Sequence, residues 1–180
     1  MINVVVDFSG SMRPNGKFAI VRNTCVALNM TTKCRFLKWK NKVEDFKIDE
    51  NFDWFSEFSD KAVISVLCDY VNSIDKNEGE SLLILTDGSF PFREKKDLEN
   101  CLTSLGKYKY AFISIGADSL AKTNLSFCKD KIFTPNDVQL VSEFLLSDEY
   151  TVVPQNLDEL HFRKHNGENA SEENDGDDWE

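Results

Sequence analysis

Apolar and polar positions alternate in two rhythms along the chain. Residues 2–6 (INVVV) form an unbroken apolar run, the pattern of a strand buried on both faces. After a Pro14-Asn15-Gly16 turn, Phe18, Val21, Cys25 and Leu28 recur at helical spacing. Cys34, Phe36, Leu37 and Trp39 mark a second strand. Asn41-Lys42 is too short for a crossover helix, so Val43–Ile48 is expected to return antiparallel as an edge hairpin. Asn51–Ser59 reads as an aromatic loop, with Ser59 or Asp60 capping a helix that carries Val63, Val66, Leu67, Tyr70 and Ile74. Ser81–Leu85 is a further buried strand, stopped by Thr86-Asp87-Gly88. A helix with Leu98, Cys101, Leu102 and Leu105 precedes a strand at Tyr110–Ile115. Gly116-Ala117-Asp118 opens a short helix, and Lys131–Phe133 is a last strand. Thr134-Pro135-Asn136-Asp137 starts a final helix whose inner face is Val138, Val141, Phe144 and Leu145.

Strands alternating with helices predict an α/β fold: a Rossmann-like, doubly wound, mostly parallel six-stranded sheet, one antiparallel edge strand, helices on both faces. The 180 residues suit one domain over 1–150 and an extension over 151–180. Seven of the 31 acidic residues lie in 168–180, leaving 24 against 21 basic residues elsewhere. The net charge of −10 is therefore mostly a property of the tail, expected to be flexible. No basic excess exists, which argues against nucleic acid as partner. Five widely spaced cysteines without a C-x-x-C pair read as buried, reduced thiols. With no leader segment and no apolar run of about 20 residues, the expectation is a cytoplasmic protein that does not enter a membrane.

Two strands end in an acidic turn with a sharp glycine: VVV-DFSGS and LIL-TDG. If these strands are neighbours, Asp7, Ser9, Ser11, Thr86 and Asp87 meet at the carboxyl ends of the strands, where such sheets bind ligands. The set offers only oxygen, which suits Mg²⁺, Mn²⁺ or Ca²⁺ rather than zinc or copper. Other chemistries lack a part. A haloacid-dehalogenase-type phosphatase needs a second Asp where Ser9 stands, and the only histidines, His161 and His165, follow the last helix. A P-loop needs a hydroxyl after Gly16-Lys17, where Phe18 stands. The remaining simple role for Ser9 and Ser11 is helix capping.

D-F-S-G-S resembles the D-x-S-x-S signature of the von Willebrand factor A (vWA) domain, the first element of its metal-ion-dependent adhesion site. LLILTDG and YAFISIGAD resemble later elements of that family, over roughly residues 1–148. The resemblance implies a sheet of order 3-2-1-4-5-6 and metal ligands at Asp7, Ser9, Ser11 and Asp87. It implies that serine hydroxyls coordinate directly, carboxylates often through water, and that an open position takes an Asp or Glu carboxylate of a protein partner. It implies no enzymatic activity, and an AAA+ ATPase as a partner class. The family's further hydroxyl, usually Thr before a helix, is missing from WFSEFSDKAV. Ser59 is the candidate there, with Ser56 and Asp60 as alternatives. Lys61 in that place would weaken or replace the metal. Phe55 and Phe58, with Phe90 beyond Asp87, form either an apolar rim for the partner or a lid under the sheet edge. A carboxylate of the acidic tail near Trp179 is a further candidate to enter the site. A scaffold with a degenerate site and a metal-dependent phosphohydrolase are the alternative functions.

Overall fold

The computed structural model describes residues 1–49, 51–74 and 79–147. The expected extension, with His161, His165 and Trp179, lies outside them. Six strands form one sheet: β1 (Ile2–Asp7), β2 (Cys34–Trp39), β3 (Val43–Asp45), β4 (Ser81–Thr86), β5 (Lys109–Ser114) and β6 (Ile132–Phe133). Their order is β3-β2-β1-β4-β5-β6, with β3 antiparallel to β2 and every other pair parallel. This is the expected doubly wound sheet, and β1 and β4 flank the point where strand order reverses.

The apolar runs at β1 and β4 are continuous because both faces of each strand are covered. Ile2, Val4, Val6, Leu83 and Leu85 pack with helices α1 (Lys17–Thr31) and α6 (Val138–Leu146) through Val21, Cys25, Leu28, Val141 and Leu145. Val5, Leu82 and Ile84 point the other way. They meet α3 (Ile64–Ser73) and α4 (Phe92–Thr103) through Ile64, Leu67, Val71, Leu98 and Leu102. The short helices α2 (Trp54–Glu57) and α5 (Ala121–Asn124) complete the layers.

Three local expectations are corrected. The aromatic segment is not all loop: Trp54–Glu57 turn as a helix whose first turn is capped by Asp53 Oδ1, accepting from Ser56 N at 3.2 Å. Ser59 and Asp60 do not cap α3, which starts after Val63. Their backbone is already committed. Ser59 N donates to Phe8 O (3.1 Å), Gly10 N to Asp60 O (2.9 Å) and Val63 N to Lys40 O (2.9 Å). Residues 59–63 thus lie as a strap beside the end of β1, with Asp60 at a left-handed φ of 61°. Strand β3 also stops at Asp45, before Phe46 and Ile48, which turn into the core.

The strap is anchored by rings. Phe8, fully buried, stacks on Phe58 at 4.5 Å between centroids. Trp54, Phe46 and Phe52 surround it at 6.1, 5.4 and 6.1 Å. Phe58 is fully buried too, so it is core and not partner-facing rim. Truncating Phe8 to Ala is expected to cost about 3–5 kcal/mol in denaturant unfolding. Phe55→Ala, at a ring 47% exposed, is expected to cost less than about 1 kcal/mol.

Candidate metal centre

The register of the two central strands builds the site. Val6 lies opposite Leu85, which brings Asp7 beside Thr86. Asp7 is almost wholly buried, and both its oxygens are used. Ser9 N donates to Oδ1 at 2.8 Å and Thr86 Oγ1 to Oδ2 at 2.7 Å. Burial pushes its pKa up, against the hydrogen bonds from Ser9 and Thr86 that pull it down. The chain then makes a single 3₁₀ turn at Gly10–Met12, in which Met12 N donates to Ser9 O at 3.1 Å. Neither hydroxyl caps that turn, which leaves both for the site.

Ser9 Oγ and Ser11 Oγ are 3.0 Å apart, and Ser11 Oγ donates to Asp87 Oδ1 at 3.2 Å. Ser11 Oγ thus stands within hydrogen-bond reach of an oxygen from each strand end. A six-coordinate Mg²⁺ with oxygens at about 2.0–2.1 Å has neighbouring ligands about 2.9 Å apart, close to both spacings. The residues present fit a small divalent cation in donor type and in these two spacings. Among the described residues no group of three or more His, Cys, Asp or Glu could hold a metal, so the fit rests on hydroxyls.

Asp87 is held from behind. Its carbonyl accepts Leu120 N at 2.7 Å and Ser119 Oγ at 2.9 Å, and Asn124 Nδ2 donates to Gly88 O at 2.7 Å. Gly88 has a φ of 70°, and a Cβ there would stand 2.6 Å from the backbone N and Cα of Ala121. The other carboxylate oxygen, Oδ2, accepts from Lys17 Nζ at 2.8 Å. That ammonium also reaches Asp118 Oδ1 at 3.1 Å and Ser11 O at 3.3 Å. Lys17 is 3% exposed. Burial lowers its pKa, but the bonds and charges of Asp87 and Asp118 outweigh that, and the group is held above its ordinary value.

No family model matches the sequence, and no curated protein does. Solved structures do match in fold. A manganese-loaded TRAP protein of Plasmodium vivax superposes with a TM-score of 0.56 at 15% identity, over 81% of this chain and 72% of that one. A von Willebrand factor type A protein of Catenulispora acidiphila gives 0.53 at 15% identity, over 80% of this chain. This chain has the vWA fold. It spans only 40% of the length of the Catenulispora protein.

Within that vWA fold, Asp7, Ser9, Ser11 and Asp87 are brought together, as the sequence led one to expect. Ser59 is not joined to them. Its hydroxyl accepts from Lys40 Nζ at 3.1 Å and faces Asp60 Oδ2 at 3.3 Å. Ser56 turns its hydroxyl to Asp53 O, and Lys61 pairs with Glu94 at 2.6 Å. The strap reaches the Ser9–Ser11 loop through its backbone, at Gly10 N. Phe55 lies at the surface under Arg13, whose guanidinium carbon is 3.8 Å from the ring centroid, and packs edge-on against Phe18. Phe90 is half-buried against the α3/α4 core.

Sequence reasoning missed Lys17 and Asp118 as site residues. The Gly16-Lys17 pair carried no signal of them, because the acidic partners of Lys17 lie far along the chain. Gly88→Ala is expected to destabilise the protein by at least about 1–3 kcal/mol from backbone strain. The loss is read as a lower denaturant midpoint, with the clash against Ala121 adding to it.

Proposed function

We propose that the chain is a protein-interaction module of the vWA type. Its site at Ser9, Ser11 and Asp87, with Asp7 behind, holds Mg²⁺ or Mn²⁺ and receives an Asp or Glu carboxylate of a protein partner. The observation that carries this reading is Ser11 Oγ standing 3.0 Å from Ser9 Oγ and 3.2 Å from Asp87 Oδ1. The manganese-loaded state of a protein with the same fold supports the choice of metal. Bound there, the cation would supply a point of positive charge with an open ligand position.

The chain's own residues do the rest. Asp7 orients Ser9 through its backbone N–H. The Gly10–Met12 turn aims Ser11 at Asp87, and Ser89 N, donating to Asp87 Oδ1 at 2.9 Å, fixes the carboxylate. Arg13 and Phe55 provide a cationic, apolar shoulder at which an acidic partner segment docks. An AAA+ ATPase is the partner class suggested by the family resemblance, and a cytoplasmic location is part of the same reading. No helix among the described residues is long and apolar enough to cross a membrane. The module acts by recognition and not by catalysis.

Lys17 favours a second reading, in which its ammonium already neutralises Asp87 and the fold serves as a metal-independent scaffold with a degenerate site. Calorimetry with Mg²⁺ and Mn²⁺ separates the two. Under the preferred reading, wild type binds a divalent ion, and Ser9→Ala weakens binding at least about tenfold, the loss of one direct ligand. A pull-down is expected to retain its partner in Mg²⁺ and lose it in EDTA or with Ser9→Ala. Retention in all three conditions leaves only the scaffold reading.

A further inference from the structure

Lys17 places a fixed positive charge beside a site whose proposed ligand is itself a cation. Its position is built. The ammonium has three N–H groups and three acceptors: Asp87 Oδ2 at 2.8 Å, Asp118 Oδ1 at 3.1 Å and Ser11 O at 3.3 Å. The stem lies over Gly116, where a Cβ would come within 2.7 Å of Lys17 Cε. Gly116 has a φ of 90°, so this floor needs glycine for its backbone as well as for the space. Asp118 is half exposed and also accepts from Asn15 Nδ2 at 3.4 Å, so water screens its charge. The ion pair that remains dry is Lys17–Asp87.

Asp87 is thereby divided. Oδ2 belongs to the lysine, while Oδ1 accepts from Ser11 Oγ and Ser89 N. The lysine does not occupy the position between Ser9, Ser11 and Oδ1. It removes charge from it. The dry part of the site holds two carboxylates, Asp7 and Asp87, and one ammonium. A divalent ion would then be left with one positive charge uncancelled, where without Lys17 the sum would be zero. We infer that Lys17 is a resident counter-charge that weakens the metal on its own and makes an incoming carboxylate the ligand that completes neutrality. Metal and acidic partner then bind cooperatively, each raising the affinity of the other. This rests on the metal-dependent reading above, and it names what would make that site select an acid.

The test uses the full chain with Mn²⁺ alone and with acetate as the carboxylate probe, at constant ionic strength. Titrations compare wild type with Lys17→Met and Lys17→Gln. Lys122→Met, at an exposed position, gives the same change in net charge. Removing the Lys17 charge is expected to tighten Mn²⁺ binding about tenfold or more. Acetate is expected to tighten Mn²⁺ binding in wild type and to have little effect in the Lys17 variants. If Lys17→Met does not fold, Lys17→Gln, which can still donate to Asp87, carries the comparison. An Mn²⁺ affinity unchanged from wild type, an acetate effect that survives in the variants, or equal tightening by Lys122→Met overturns the inference and leaves the metal reading standing. Absence of Mn²⁺ binding by wild type and both Lys17 variants overturns both.

Discussion

The pairing of β1 with β4 is the interaction on which the rest depends. These strands are far apart in sequence and adjacent only because the sheet reverses its order between them. Their register sets Asp7 against Thr86, and the next residues on each strand, where the ladder ends, are free to turn into the site. A slip of one residue would exchange the two faces of β1, moving Val5 into the α1/α6 core and Val4 and Val6 into the α3/α4 core. The site's precision is therefore underwritten by the burial of valines and leucines. No polar contact in the site could hold that register by itself.

Charge is then added to a dry place, which is costly unless each group is paired. Asp7 is answered by a backbone N–H and a hydroxyl. Asp87 is answered by an ammonium, a hydroxyl and a backbone N–H. The two carboxylates are thus treated differently. Asp7 receives only neutral donors, and burial raises its pKa. Asp87 receives a full positive charge from Lys17. The asymmetry suits a division of labour in which Asp7 shapes the loop and Asp87 supplies the oxygen that accepts from Ser11 Oγ.

Much of this was legible in the chain. Unbroken apolar runs at 2–6 and 81–85 betray strands covered on both faces, and the three-residue gap at Lys40–Lys42 permits only a hairpin. The paired acidic turns place Asp7, Ser9, Ser11 and Asp87 together once the strands are neighbours. What stayed hidden depended on backbone partners that pattern alone does not encode. Ser59 and Asp60 look like helix caps, but their backbone is bonded to Phe8 and Gly10, and the helix starts later. Phe58 and Phe55 are alike in the sequence. Only the ring cluster around Phe8 separates the buried one from the exposed one. Lys17 sits in an ordinary Gly-Lys pair, and its partners come from the ends of two distant strands, β4 and β5.

Gly116 carries a consequence of a different kind. Its missing side chain is the seat for the Lys17 stem, so the two positions form a lock and key within one molecule. The dependence runs one way. A side chain at 116 would evict the lysine, whereas loss of the lysine would leave an empty trough and release glycine from half of its duty. A lineage that gave up the lysine would still be held to glycine at 116, because a φ of 90° disfavours any side chain there whatever fills the trough.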